Sequence, residues 1–466
     1  MSFKKTLVVL PLVFVFGYVL QVLYIPGGSL TFGYDQARDA FVTRHMLSGD
    51  FKILGPPSST PGLHHGVFYN YLLLVPHLVG KDPRISAYWI ALLNALTVFV
   101  VYYFGYLVTK KRVIGVIIAA ILFAFSFEAS QYAAWLSNPT IGVWTVPLIY
   151  LGLWAWLSER KKWGPIVAGL GLGLSVQANI FLAYHTWPVL LWLLVKRKNI
   201  GVQGILKLVA SFLLAVSTMV VSELKFGGRG VLGLRSLFFR DDDLVGSKRV
   251  SDFVFIFFDQ LGDVFAHSLL PSAKAYGALM VVVTLGYLLL SWKKGEKRNL
   301  FSWQLFFFTY LVAHVFAVPF GGSSTPFIGV GIGSGLAVVF AIIFYDLLGT
   351  RKAVAGAAIL VIMAANVSAI ISTNKNGQTI FSIQKDMLLS KQLKAIDFTY
   401  QESDSGEFGI NTITSPLWIN IVWTYLYEWH GYGNYGYVPA WHGTDQVGKV
   451  ATLPKVNERT ESFFDF

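Results

Sequence analysis

The chain has no cysteine and little charge: Lys, Arg, Asp and Glu make up 13% of its 466 residues. The first absence excludes disulfides, thiolate metal sites and a cysteine nucleophile. The second sets the chain apart from ordinary soluble domains, in which about a quarter of residues are charged. Low-complexity tracts are missing, and so is an internal repeat of the kind that marks inverted-repeat transporters. No His-Glu-x-x-His, P-loop or Gly-x-Ser-x-Gly motif occurs. What is present is apolar: 55% hydrophobic and 16% aromatic residues, with a mean hydropathy of +0.57. A soluble protein of this composition would expose large apolar patches, and the chain is too apolar to be disordered.

A bilayer-crossing helix needs roughly 20 mainly apolar residues. Stretches 6–24, 85–108, 113–131, 140–157, 164–178, 183–195, 201–222, 275–292, 301–318, 327–347 and 353–372 meet or approach this, predicting about eleven transmembrane helices. No small-residue cleavage site follows the first stretch, so it reads as a retained helix rather than a signal peptide. Positive clusters recur at Lys4-Lys5, Lys110-Lys111-Arg112, Arg160-Lys161-Lys162, Lys196-Arg197-Lys198, Lys293 to Arg298 and Arg351-Lys352. The first precedes the bundle and each later one follows an even-numbered crossing. By the positive-inside rule the N-terminus is cytoplasmic and the C-terminus outside, in the plasma membrane of a cell. The net charge of +12 is then largely a topology signal, and no nucleic-acid partner is expected.

The expected fold is an all-α polytopic membrane domain over residues 1–372, followed at 373–466 by a small extracytoplasmic α/β region. Long outer segments fall at 26–84 and 225–274. In the tail, residues 384–401 have helical spacing and 408–414 alternate as a strand. Pro416 opens a second helix that Gly431 ends. The crowd of Tyr, Trp and Gly at 429–441 reads either as packing on the membrane surface or as an acceptor-binding face.

The first outer segment concentrates polar chemistry. Residues 35–47 look helical, which puts Asp35 and Asp39 one turn apart on one face with Arg38 beside both. Two readings stand. Asp35 is a good N-cap and Asp39 a plain ion-pair partner; or the two form an acidic centre just outside the bilayer.

Tyr34-Asp35-Gln36-Ala37-Arg38-Asp39-Ala40, then Leu47-Ser48-Gly49-Asp50, Gly55-Pro56-Pro57, His65-Gly66 and Tyr69-Asn70-Tyr71-Leu72 resemble the first extracytoplasmic loop of GT-C glycosyltransferases. The branch is that of bacterial proteins similar to dolichyl-phosphate-mannose protein mannosyltransferases and lipid A aminoarabinose transferases. Trp135-Leu136-Ser137-Asn138-Pro139-Thr140 is similar to the branch's second outer loop. Thr414-Ser415-Pro416-Leu417-Trp418 and Trp423-Thr424-Tyr425-Leu426 resemble its C-terminal region. Two departures stand out: Gln36 follows Asp35 where the wider family commonly has Glu, and Val67 follows His65-Gly66 where relatives commonly show proline.

The resemblance implies a GT-C-like fold and an enzyme that moves a sugar from a polyprenyl-phosphate donor to a protein, lipid or glycan acceptor outside the cytoplasm. It implies Asp35 as general base, with Asp39 as second acidic residue. The leaving phosphate needs cations or N–H donors. The candidates are Arg38, Arg44, Lys52, His64 and His65 in the first outer segment and Lys225, Arg229, Arg235 and Arg240 in the second, with Asn138 at the cavity wall. Gly227-Gly228-Arg229-Gly230 is a weaker candidate for backbone contact with phosphate. Asp241-Asp242-Asp243 reads as an exposed turn. No His/Asp spacing demands a metal, although a divalent ion is compatible with the family. Glu128, Gln131, Gln177, Asn179, His185 and Glu223 sit toward the outer ends of spans, where a cavity is expected. Asn366-Val367-Ser368 matches a glycosylation sequon but lies within a predicted span. The competing functions are a polyprenyl-linked glycan or lipid transporter and a membrane scaffold.

Overall fold

The computed structural model describes residues 3–58, 60–109, 113–238, 249–295, 299–320, 325, 327–381, 387–403, 406–412, 420–442, 453–454 and 462–465. They are mostly helical. Five helices are long and apolar enough to cross a membrane: Pro83–Val108, Asn138–Leu157, Pro271–Lys294, Ile332–Thr350 and Lys352–Asn376. Two bent pairs raise the number to seven: Val113–Ala124 with Phe127–Ala133, turned by 51°, and Val202–Ala215 with Ser217–Lys225, turned by 60°. The chain is a multi-span membrane protein; among the described residues there are five to seven such spans, where hydropathy predicts about eleven. The difference lies in continuity. Gly164–Ala178 and Ile180–Val195 are apolar but shorter. The stretch 301–318 divides into a helix, Trp303–Leu311, and a tight 3-10 turn, Ala313–Phe316.

Close backbone approach holds helix to helix, as it must where lipid is as apolar as the side chains. Helix Gly142–Leu157 lies so near Gly164–Ala178 that a Cβ at Gly152 would meet the Ala168 nitrogen at 2.4 Å. Buried polar groups add specific ties. Tyr150 Oη and His185 Nδ1 are 2.8 Å apart. Asn366 is 1% exposed; its Nδ2 donates to Leu269 O at 2.9 Å, and its Oδ1 accepts from Phe127 N at 2.8 Å. The residues flagged at the span ends also serve as fasteners. Gln131 Nε2 donates to Asn374 Oδ1, Gln177 Nε2 to Ala215 O, and Asn179 Oδ1 accepts from Phe181 N. Glu223 Oε2 accepts from Gly230 N and Val231 N, holding the start of helix Arg229–Phe238.

Between α1 (Phe3–Val22) and the first long span lie α2 (Tyr34–Leu47) and α3 (Phe68–Val79). The described tail folds against them. It contains helix Leu389–Glu402 and a three-stranded parallel sheet in which β1 (Phe408–Asn411) runs between β2 (Ala440–Trp441) and β3 (Ser462–Asp465). A second tail helix begins at Ile421 and passes through a π turn, Tyr427–Gly431, into Tyr432–Tyr435. The expected stop at Gly431 is therefore corrected. Gly431 has helical angles, and Gly436, at φ +83°, ends the helix in the left-handed conformation that favours glycine. Pro416 lies outside the described residues.

The seam between tail and first loop is extensive. Phe32 N donates to Met387 O, Leu389 N to Leu30 O and Ser390 N to Gly28 O, at 2.9–3.1 Å. The fully buried Tyr425 ring packs against Phe32 and Phe41, with centroids 5.4 and 5.2 Å away. One continuous apolar core runs through the bundle, the first loop and the tail.

Candidate active site

Helix α2 carries the acidic pair, and its start is built by Gln36. The Gln36 Oε1 accepts from Gly33 N at 2.9 Å, and its Nε2 donates to Leu136 O at 2.9 Å. The residue standing where Glu was expected is thus a clasp. It satisfies one end of the helix and ties α2 to the loop before Asn138. Gly33, not Asp35, occupies the N-cap. Asp35 sits in the first turn, where the exposed N–H groups favour a negative charge.

One turn on, the three charged side chains meet. Arg38 Nη1 donates to Asp35 Oδ1 at 2.7 Å, while its Nε and Nη2 reach Asp39 Oδ1 at 3.0 and 2.9 Å. Burial grades steeply along this row. The Asp39 side chain is 2% exposed and Arg38 10%, but Asp35 is 42% exposed. The Tyr34 ring lies under the guanidinium, 5.5 Å from its centroid. Burial pushes the Asp39 carboxyl up to about 6, against the pull of Arg38 and the Asn70 amide. Burial alone would lower the Arg38 pKa, but Asp39 and Asp35 outweigh it and raise the value. The arrangement is a locked cation that holds an accessible carboxylate.

His65 stands beside this group. Its Nδ1 accepts from Ile180 N at 3.3 Å. Burial, with the Arg38 and His64 charges, pushes it down to about 4. It is neutral at pH 7 and offers no cation to a phosphate. His64 Nδ1 is 3.0 Å from Gly55 O. Asn138 donates through Nδ2 to Ala178 O, so its amide braces the loop wall.

The other predicted cations are dispersed. Arg44 is on α2 but turns to the tail, where its Nη1 meets Glu428 Oε2 at 2.8 Å. Lys52 pairs with Asp50. Lys225 is exposed, with its Nζ 5.7 Å from the Phe226 ring centroid. Arg229 and Arg235 are exposed on helix Arg229–Phe238, which touches the first loop: a Cβ at Gly62 would meet Arg229 O at 3.3 Å. Gly227 and Gly228 precede that helix with φ +69° and +75°. Arg240 and Asp241-Asp242-Asp243 lie outside the described residues. Among the described residues, no group of three His, Asp or Glu side chains is placed to hold a metal ion.

Tyr34, Asn70 and Glu428 were not singled out for a role in the sequence. The first two stand inside the quoted motif, next to acidic or aromatic residues that drew the attention. Glu428 is 384 positions from Arg44 and carries no local signal.

No family model matches the chain, and no curated protein matches it by sequence. Solved structures do match. ArnT from Cupriavidus metallidurans bound to undecaprenyl phosphate superposes with a TM-score of 0.56 at 9% identity, over 95% of this chain and 86% of that one. The same protein in the apo state gives 0.51 at 12% identity, over 92% and 84%. The Archaeoglobus fulgidus oligosaccharyltransferase in complex with Zn and sulfate gives 0.52 at 13% identity, over 89% of this chain and 61% of that one. This chain thus spans about three-fifths of the oligosaccharyltransferase's length. The chain thus shares the overall fold of these solved structures.

Proposed function

We propose that the chain is an integral membrane glycosyltransferase that moves a sugar from a polyprenyl-phosphate donor to an acceptor outside the cytoplasm. The observation that carries this reading is the half-exposed Asp35 carboxylate, held by an Arg38 that is itself anchored on buried Asp39. The GT-C fold supports it, as does the undecaprenyl phosphate bound to one structural relative.

In this mechanism an acceptor hydroxyl gives its proton to Asp35 as its oxygen bonds to the sugar's anomeric carbon. The bond from that carbon to the phosphate oxygen breaks, and the polyprenyl phosphate leaves as an anion. A base of this kind contributes roughly 10²–10⁴-fold. As Asp35 takes the proton its charge disappears, and Arg38 is left with more positive charge to offer the leaving phosphate. Arg229, Arg235 and Arg240, with Arg44, Lys52 and Lys225, are the remaining cations for the lipid phosphate. Neutral His65 and the Asn138 amide fit hydrogen bonding better than charge neutralisation, and His64 lies beside His65 in the same loop. Asp39 is the positioning residue. The active face is extracytoplasmic, with the N-terminus in the cytoplasm and the C-terminal region outside.

The test uses purified protein in liposomes, given radiolabelled polyprenyl-phosphate sugars. Asp35→Asn is expected to lower transfer by roughly 10²-fold or more with the melting temperature unchanged, because the side chain is partly exposed. Equal turnover by the variant removes Asp35 as base. Labelled lipid crossing the bilayer without transfer replaces the enzyme reading with the transporter.

A further inference from the structure

A second polar region lies apart from the α2 charges. It consists of two adjoining cavities of about 340 and 450 Å³ that share His267 and Ile380. These volumes fall within the roughly 300–1,000 Å³ of small-molecule sites. None of Asp35, Arg38 and Asp39 lines either one. A short aromatic path connects the two regions. Trp135 bridges to Thr31 just before α2, and its ring centroid is 4.6 Å from that of Phe381, which walls the first cavity.

The first cavity combines the carboxyls of Glu128, Asp259 and Asp263 with the rings of Tyr132 and Phe381. Glu128 is 5% exposed. One of its oxygens accepts from Ser268 Oγ at 2.8 Å; the other has no hydrogen-bond partner among the described residues and belongs to the cavity wall. A carboxylate oxygen that faces a cavity accepts hydrogen bonds from a hydroxyl-bearing ligand. The second cavity is lined by hydroxyls, among them Ser272, Ser368, Thr373 and Thr379. Lys274, at its edge, is paired with Asp263 at 3.1 Å. Three carboxyls against one engaged lysine make this place hostile to a phosphate. Carboxylates accept from hydroxyl groups, aromatic faces cover apolar C–H surfaces, and the serine and threonine hydroxyls can both donate and accept.

We propose that the paired cavity binds a neutral sugar ring, separately from the lipid phosphate. This inference rests on the glycosyltransferase reading and assigns the sugar-recognising part of its substrate site. The sugar belongs either to the acceptor or to the donor.

The experiment uses the full chain in nanodiscs and methyl α-mannoside, methyl β-glucoside and methyl β-N-acetylglucosaminide as probes, read by saturation-transfer NMR. At least one glycoside is expected to bind, and inorganic phosphate is expected not to displace it. Glu128→Gln and Asp259→Asn should each weaken binding about tenfold, the loss of one hydrogen bond to a charged acceptor. Asp259 is exposed, so its variant keeps the test intact where the Glu128 variant fails to fold. Undecaprenyl phosphate with and without an attached mannose separates the two sources. Variants that weaken only the mannosyl lipid identify the donor's sugar, and variants that weaken the free glycosides alone identify the acceptor's. No glycoside binding, equal binding by both variants, or displacement by phosphate overturns the inference. Transfer that depends on Asp35 without glycoside binding sinks this inference alone. Glycoside binding without transfer of any donor sinks the glycosyltransferase reading instead.

Discussion

Arg38 is the residue on which the candidate site balances. Two carboxylates share it, and they differ mainly in burial. Removing the guanidinium leaves Asp39 charged in the interior without compensation. Arg38→Met is therefore expected to destabilise the protein by about 3–5 kcal/mol, and adding Asp39→Leu should restore most of that loss, as thermal melting will report. The same pair sets a pH dependence. Below a pH of about 6 Asp39 becomes protonated and releases Arg38 from one anchor. Transfer should decline as the pH falls through that value, and Asp39→Asn should show the reduced rate at neutral pH. In stability the two buried groups oppose each other. Asp39, raised above the ordinary carboxyl value, favours the folded state at low pH and loses that contribution as the pH rises through about 6. His65, pushed down to about 4, favours the folded state above its ordinary value of 6.5 and loses that contribution as the pH falls through 4. Each amounts to about 3 kcal/mol. On acidification from pH 7 to 4, wild type should lose stability relative to His65→Gln and gain it relative to Asp39→Asn. Melting curves across that range check both signs.

Elements are joined by amides and glycines more than by charge. The bend between Val113–Ala124 and Phe127–Ala133 exists because Ser126 caps the second piece, its Oγ accepting from Ala129 N at 3.3 Å. The freed backbone is then paired across the bundle: Asn366 takes the Phe127 N–H and returns its own amide to Leu269 O. In a membrane interior no solvent replaces such partners. Asn366→Ala should cost about 2 kcal/mol, visible as a lowered melting temperature in detergent, whereas Asn366→Gln should recover little because the longer side chain misplaces the amide. By contrast, the partly exposed Arg44–Glu428 pair clips α2 to the tail and carries a coupling of about 1 kcal/mol or less.

At the scale of the molecule, the first loop and the tail share one core although 26–84 and 373–466 stand far apart in the chain. Their joint position defines the face on which the chemistry is proposed to occur. The proposed orientation rests on the lysine and arginine clusters, and the absence of cysteine makes it directly measurable. Single substitutions Lys161→Cys and Gly433→Cys should behave oppositely toward an impermeant thiol reagent. The second is expected to react in intact cells, and the first only after permeabilisation. Equal labelling of both sites from outside would overturn the proposed topology.

The sequence by itself determined that the chain lives in a membrane, because hydropathy adds up residue by residue and needs no partner. It also determined the acidic row Asp35, Arg38 and Asp39, whose grouping depends only on helical spacing, and strand character near Phe408, whose alternation is local. The number of uninterrupted spans was not legible, because a helix breaks where a side chain such as Ser126 caps a new one, and composition does not register that. Only the tertiary structure decided that Asp39 is buried and Asp35 accessible, that Gln36 clasps α2 to Leu136, and that Arg44 belongs to Glu428. Each of these depends on which distant surface arrives beside a residue, and burial, which governs the electrostatics, is a property of that meeting rather than of the residue.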